Sequence, residues 1–123
     1  MSLITHWIGG EPRPSVSGAT FDDVAPATGK VAAQISRGGP EDVQAAVDAA
    51  KAALAGPWGA MTRLERADIL DRIADGLEAR LDELARLESE DTGKPVSLAR
   101  RIDIPRAVSN FRFFAGAVFQ VSR

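Results

Sequence analysis

The sequence predicts an α+β chain in which two N-terminal β-hairpins precede three or four α-helices. Three observations carry this. Gly9-Gly10 and the Pro26…Gly29 segment place turn signals between short strand-like runs in the first 35 residues. From residue 40 onward, apolar residues recur at three- and four-residue spacing. The longest helical pattern is opened by Thr62-Arg63-Leu64-Glu65, a capping box, and closed by Gly93-Lys94-Pro95.

The elements follow in order, with hairpins expected over 4–35 and helices over 40–121. Ile4, His6 and Ile8 alternate with Thr5 and Trp7 and lead into the Gly9-Gly10 turn. Pro12 and Pro14 lack ladder donors and confine the returning segment to an edge strand or an irregular arm. His6 is the single histidine, with no carboxylate or second histidine close in sequence, so it reads as a strand residue. The second hairpin pairs 20–24 with 30–35 across the turn 25–29. Gly29-Lys30 lacks the glycine spacing of a phosphate loop and belongs to that turn.

Pro40, Glu41 and Asp42 open a helix whose face is Val43, Ala46, Val47, Ala50 and Leu54; Gly56-Pro57 stops it. Trp58 is expected to anchor the corner by burying its ring. The next helix carries Ile69, Ile73, Leu77, Leu81, Leu84 and Leu87 on one side, with Leu70, Ala74 and Ala85 widening the stripe. Gly76 weakens its middle, and a break is expected near Arg80. The leucine spacing drifts from a strict heptad, which favours packing within the chain over a coiled-coil seam. A last helix is expected to start at Asp103 as a cap, with Pro105 in its first turn. Val108, Phe111, Phe114, Ala115, Val118 and Phe119 form its aromatic stripe. Arg106 and Asn110 lie one turn apart, beside that stripe.

Composition narrows the function. The 123 residues suffice for one ordinary domain, and the 45% apolar fraction is globular. A net charge of −2, with Lys and Arg interspersed among Asp and Glu, gives no electrostatic case for nucleic acid or an anionic membrane. No apolar run approaches the roughly 20 residues of a membrane span, and no secretory pattern opens the sequence. A cytoplasmic protein is the expectation. With no cysteine, the sequence holds no disulfide, thiolate metal site or cysteine nucleophile.

An ordered set of short segments goes further. It comprises Trp7-Ile8-Gly9-Gly10, the run from Phe21 to Gly29, Asp42-Val43 on an alanine helix, and Glu65-Arg66-Ala67. Glu90-Asp91-Thr92-Gly93-Lys94-Pro95 and the run from Asn110 to Gly116 complete it. Together these resemble the N-terminal portion of an aldehyde dehydrogenase. Gly56-Pro57-Trp58-Gly59, Ser97-Leu98-Ala99 and Ile102-Asp103-Ile104-Pro105-Arg106 resemble more narrowly the branch that oxidises 2-hydroxymuconic semialdehyde in the breakdown of aromatic compounds. Ala25 departs from the asparagine usual before Pro-Ala-Thr-Gly, which removes a turn hydrogen bond.

The resemblance implies an enzyme in which a cysteine attacks the aldehyde, hydride passes to NAD or NADP, and a glutamate-activated water releases the acid. In the family these groups and the Rossmann-type core lie beyond the part that this sequence matches. The expectation is therefore a fragment, inactive alone, whose partners are the remainder of the dehydrogenase and further copies in a homo-oligomer. Two roles carry over by resemblance. Arg106 would grip a substrate carboxylate, for which a planar guanidinium fork is suited; otherwise it is a surface arginine. The carbonyl of Val24 and the carboxylate of Asp91 would help hold a structural sodium, potassium or magnesium; otherwise Asp91 caps the turn at Gly93. A reading of another class is a non-catalytic helical interaction or oligomerisation module.

Overall fold

The computed structural model describes residues 2–120, and the chain divides into two compact units after Ala60. The first unit contains β1 (Ser2–Ile4), β2 (His6–Ile8), β3 (Glu11–Arg13), β4 (Thr20–Ala25), β5 (Lys30–Ser36), α1 (Pro40–Ala55) and the single turn α2 (Pro57–Ala60). The second contains α3 (Arg63–Ala79), α4 (Leu81–Thr92), the short α5 (Val96–Leu98), a π-helical turn (Ala99–Asp103) and α6 (Ile104–Ala117). Strands followed by four long helices, α1, α3, α4 and α6, bear out the predicted class.

Both hairpins form. β2 and β3 pair antiparallel around Gly9 and Gly10, whose φ values of 68° and 85° are those of a tight turn with both central residues left-handed. β4 and β5 pair antiparallel, with a register shift between Asp23 and Val24. The intervening turn closes without the asparagine side chain: the Ala25 carbonyl accepts the amides of Thr28 at 3.2 Å and Gly29 at 2.9 Å. The hairpin reading placed Ile4 with β2. Instead it belongs to β1, which runs parallel to β5 with Ile4 opposite Ile35. Alternation along a strand shows which face is apolar but not which partner it pairs with. β5 is thus the central strand of a three-stranded sheet, and Ala33 and Ser36 are buried there.

α1 starts as read, with Pro40 in its first turn and Gly56 behind its end. Its apolar face is only partly covered within this unit: Val43 and Leu54 remain 62% and 67% exposed. Trp58 does not bury its ring as expected, being 38% exposed. The chain turns there through α2, and Gly59 passes so close to the Leu54 carbonyl that no side chain fits.

In the second unit, Thr62 Oγ1 accepts the Glu65 amide at 3.2 Å, and the Glu65 carboxylate accepts the Thr62 amide at 2.7 Å. The Thr62 amide and hydroxyl hold the Glu65 carboxyl below its ordinary range. Arg80, at φ −109° and ψ 21°, breaks the long helix where expected, and Gly93 ends α4 in the left-handed region at φ 77°. Contact between α3 and α6 is close because small residues meet there: Ala67, Ala74 and Ala115 are at most 5% exposed. Ile73 and Leu87, from the predicted stripe, stay exposed. Within the chain, α3 packs on α6 and α4 on the π turn.

The reading of the last helix needs correction. Asp103 is not an N-cap: its backbone is helical and its side chain caps nothing, because the chain is already helical from Val96. The Ile104 amide donates to the Ala99 carbonyl, five residues back, which is the widened turn of a π-helix. Pro105 accounts for the widening, since its ring has no N–H and would crowd the Arg101 carbonyl in an α-turn. α6 ends at Ala117, short of residue 121, through tightened turns such as Gln120 N–H to Ala117 carbonyl at 3.0 Å. Residue 121 itself lies outside the described residues. Phe111 is half-buried, whereas Phe113, Phe114 and Phe119 are 68%, 62% and 74% exposed. No described helix is long and apolar enough to cross a membrane.

Candidate functional site

The outward face of α6 carries Arg106, the residue singled out for substrate. Arg106 and Asn110 are both exposed, one helical turn apart. Among the described residues the Arg106 guanidinium has no ion pair. Arg101, in the preceding turn, is likewise exposed and without an ion pair among the described residues, whereas other arginines are held. Arg112 is held by Asp75 at 2.9 Å and Glu78 at 2.8 Å, contacts that raise its pKa. Arg100 is held by Asp82, and Arg80 by Glu83. A free, always-charged fork on a rigid helix can dock a carboxylate through two parallel hydrogen bonds.

Upstream, Lys94 is a residue the sequence reading passed over. Its ammonium meets Asp103 Oδ2 at 2.8 Å and Glu88 Oε1 at 3.1 Å, joining α4 to the π turn. Asp103 and then Glu88 raise its pKa. The spacing of Lys94 from Asp103 gave no local signal, since the two meet only through the helical segment that folds between them, while the turn at Gly93 brings Lys94 back to Glu88. Asp91 sits in the last turn of α4, exposed. The turn after it is closed by other groups: the Gly93 amide to Ser89 at 2.9 Å, and the Ser89 hydroxyl to the Lys94 carbonyl at 2.6 Å.

Val24 lies at the irregular step of β4. No three His, Asp or Glu side chains gather as a metal cluster among the described residues. One carboxylate and one carbonyl fall short of the six or so oxygens a hard cation takes, so these residues do not complete a cation shell by themselves. The sequence also lacks a glycine fingerprint for a dinucleotide. In the first unit, a groove of about 550 Å³ beside α1 is lined by Trp7, Gly10, Ala46, Ala50 and Ala53 among others, with no titratable or nucleophilic group.

His6 is a half-buried strand residue, and its Nε2 makes no hydrogen bond among the described residues. Asp42 is the buried carboxylate of this unit. It accepts the Gly39 amide at 2.8 Å, the Val16 amide at 3.0 Å and the Ser15 hydroxyl at 3.2 Å. The Gly39 and Val16 amides hold its carboxyl below the usual range. These bonds make it a structural acid.

Strands followed by helices in this order are those of the N-terminal part of the aldehyde dehydrogenase fold. The comparisons make the assignment specific. Residues 13–123 match the aldehyde dehydrogenase family. The chain is 52% identical over 122 residues to the 2-hydroxymuconic semialdehyde dehydrogenase of Pseudomonas sp. (strain CF600), covering 99% of this chain and 25% of that protein. It is 46% identical over 116 residues to the 2-aminomuconic semialdehyde dehydrogenase of Bos taurus, covering 94% and 23%. The NAD+ complex of an aldehyde dehydrogenase from Bacillus cereus superposes with a TM-score of 0.95 at 39% identity, over 98% of this chain and 25% of that one. The chain belongs to the aldehyde dehydrogenase family, and it spans about a quarter of the length of the curated relatives it matches.

Proposed function

We propose that this chain is the N-terminal part of an NAD(P)-dependent dehydrogenase that oxidises a carboxylate-bearing semialdehyde of the 2-hydroxymuconic type to the corresponding acid, in the degradation of aromatic compounds. The observation that carries the reading is the exposed Arg106 on α6, without an ion pair among the described residues, in a chain 52% identical to a 2-hydroxymuconic semialdehyde dehydrogenase. In the complete enzyme the aldehyde carbon is oxidised and NAD(P) takes up the hydride; the nucleophile and the water-activating base come from beyond these residues. Arg106 binds and orients the substrate by its carboxylate. Asp91 and the Val24 carbonyl each serve as an oxygen ligand for a structural sodium, potassium or magnesium, a reading supported by the family resemblance.

The exposed Phe113 and Phe114 rings, 5.3 Å apart and edge to face, suit a surface covered by the remainder of the dehydrogenase. The reading takes the enzyme as a cytoplasmic homo-oligomer. The same exposed rings would serve a non-catalytic interaction module, and activity separates the two. The test is Arg106→Ala in the full-length protein carrying this segment. KM for the carboxylate-bearing semialdehyde should rise roughly 10- to 100-fold, the worth of a hydrogen bond to a charged group, with a neutral aldehyde little affected. Equal effects on both aldehydes remove the carboxylate grip, and absence of aldehyde-dependent NAD(P) reduction in the full-length protein favours the module.

A further inference from the structure

The direction in which Arg106 points follows from one irregular turn. In an uninterrupted α-helix, residues seven apart lie on nearly the same face, about 20° out of phase. Ala99 is completely buried. Counting forward from it at that spacing, the buried row would continue through Arg106 and on to Asn110 and Phe113. The structure does otherwise. The π turn takes up an extra residue, so the inward row passes from Ala99 to buried Val108 and Ala115, with Ile104 and Phe111 half-buried beside them. Arg106, Asn110 and Phe113 are rotated out of it and are exposed.

Such a turn is rare within α-helices and tends to occur at functional sites. Here it is held from outside. Asp103, its last residue, receives the Lys94 ammonium at 2.8 Å, and the same ammonium reaches Glu88 on α4 at 3.1 Å. These groups are only about 30% exposed, which limits screening by solvent. Ser89 fixes the Lys94 backbone through its carbonyl at 2.6 Å. The turn is thereby tied to the end of a rigid helix.

We propose that the π turn is the device that presents Arg106 to substrate, and that Lys94 is its positioning residue, acting through Asp103. This rests on the carboxylate-gripping role of Arg106. Lys94 touches no substrate; it sets the rotation of α6 about its axis.

The experiment compares Lys94→Met, Lys94→Arg, Asp103→Asn and Arg106→Ala in the full-length dehydrogenase, each with a carboxylate-bearing semialdehyde and with a neutral aldehyde. Lys94→Met and Asp103→Asn should raise KM for the charged substrate roughly tenfold, with a much smaller change in kcat and in the neutral substrate's KM. Lys94→Arg should recover most of the loss, because the charge can still span Glu88 and Asp103. If Arg106→Ala discriminates between the substrates while both Lys94→Met and Asp103→Asn do not, the positioning role is wrong and the grip stands. If Arg106→Ala itself does not discriminate, the grip fails and the positioning role falls with it. Should Lys94→Met not fold, Asp103→Asn decides alone, since it removes the same ion pair and leaves Lys94 on Glu88.

Discussion

The carboxylate of Asp42 accepts the amide of Val16, 26 residues earlier in the chain, at 3.0 Å. The same carboxylate closes the first turn of α1 through the Gly39 amide at 2.8 Å. One acid therefore joins the loop before β4 to the start of the helix after β5. Because both amides donate to the ionised form, the folded state holds Asp42 below its ordinary value near 3.8. Its stabilisation is complete above that value and fades as pH falls through the depressed one. Asp42→Asn should lower the thermal midpoint at neutral pH and flatten the loss of stability on acidification. An acid limb unchanged by the substitution would show that Asp42 is not the titrating group.

Gly59 is required by space rather than by φ. A Cβ there would fall on the Leu54 carbonyl oxygen and lie 2.7 Å from its carbonyl carbon, and a backbone atom cannot rotate aside. Gly59→Ala should destabilise the protein by about 1–3 kcal/mol, the usual range for forced overpacking. Urea unfolding of the wild type and the variant checks this, with a midpoint shift at unchanged slope as the expected result.

Ala74 on α3 is fully buried in the unit where α3 packs on α6. Ala74→Leu should cost about 1–3 kcal/mol by prising the helices apart. The neighbouring Asp75, which pairs with Arg112 at 2.9 Å but is 66% exposed, should tolerate Asn within about 1 kcal/mol, as exposed ion pairs do. The contrast between adjacent positions is the measurement; similar losses at both would contradict the packing account.

The exposed rings of α6 predict the behaviour of the isolated 123-residue chain. With Phe113 and Phe114 each more than 60% exposed, it should bind a hydrophobic dye and self-associate. Phe113→Ser together with Phe114→Ser should reduce both signals. In the full-length protein the dye signal should be lost, because the proposed remainder of the chain covers the face. A monomeric, dye-negative isolated chain would argue against a covered surface.

The features legible in the residues are those set within a few positions of one another. Thr62 and Glu65 specify a helix start, Gly93 a left-handed stop, and Gly9-Gly10 and Gly29 their turns, because each is decided by local backbone sterics and by hydrogen bonds that span three or four residues. The ordered segments also made the family and the candidate role of Arg106 legible. Tertiary structure alone decided which strand β1 joins, which carboxylates Lys94 bridges, and where the Asp42 carboxylate reaches. It also decided that Asp103 lies inside a continuous helix instead of capping one. Those outcomes depend on closing long stretches of chain and on which small residues allow two backbones to meet. No window of sequence a few residues wide contains that information, and the outward turn of Arg106 is its product.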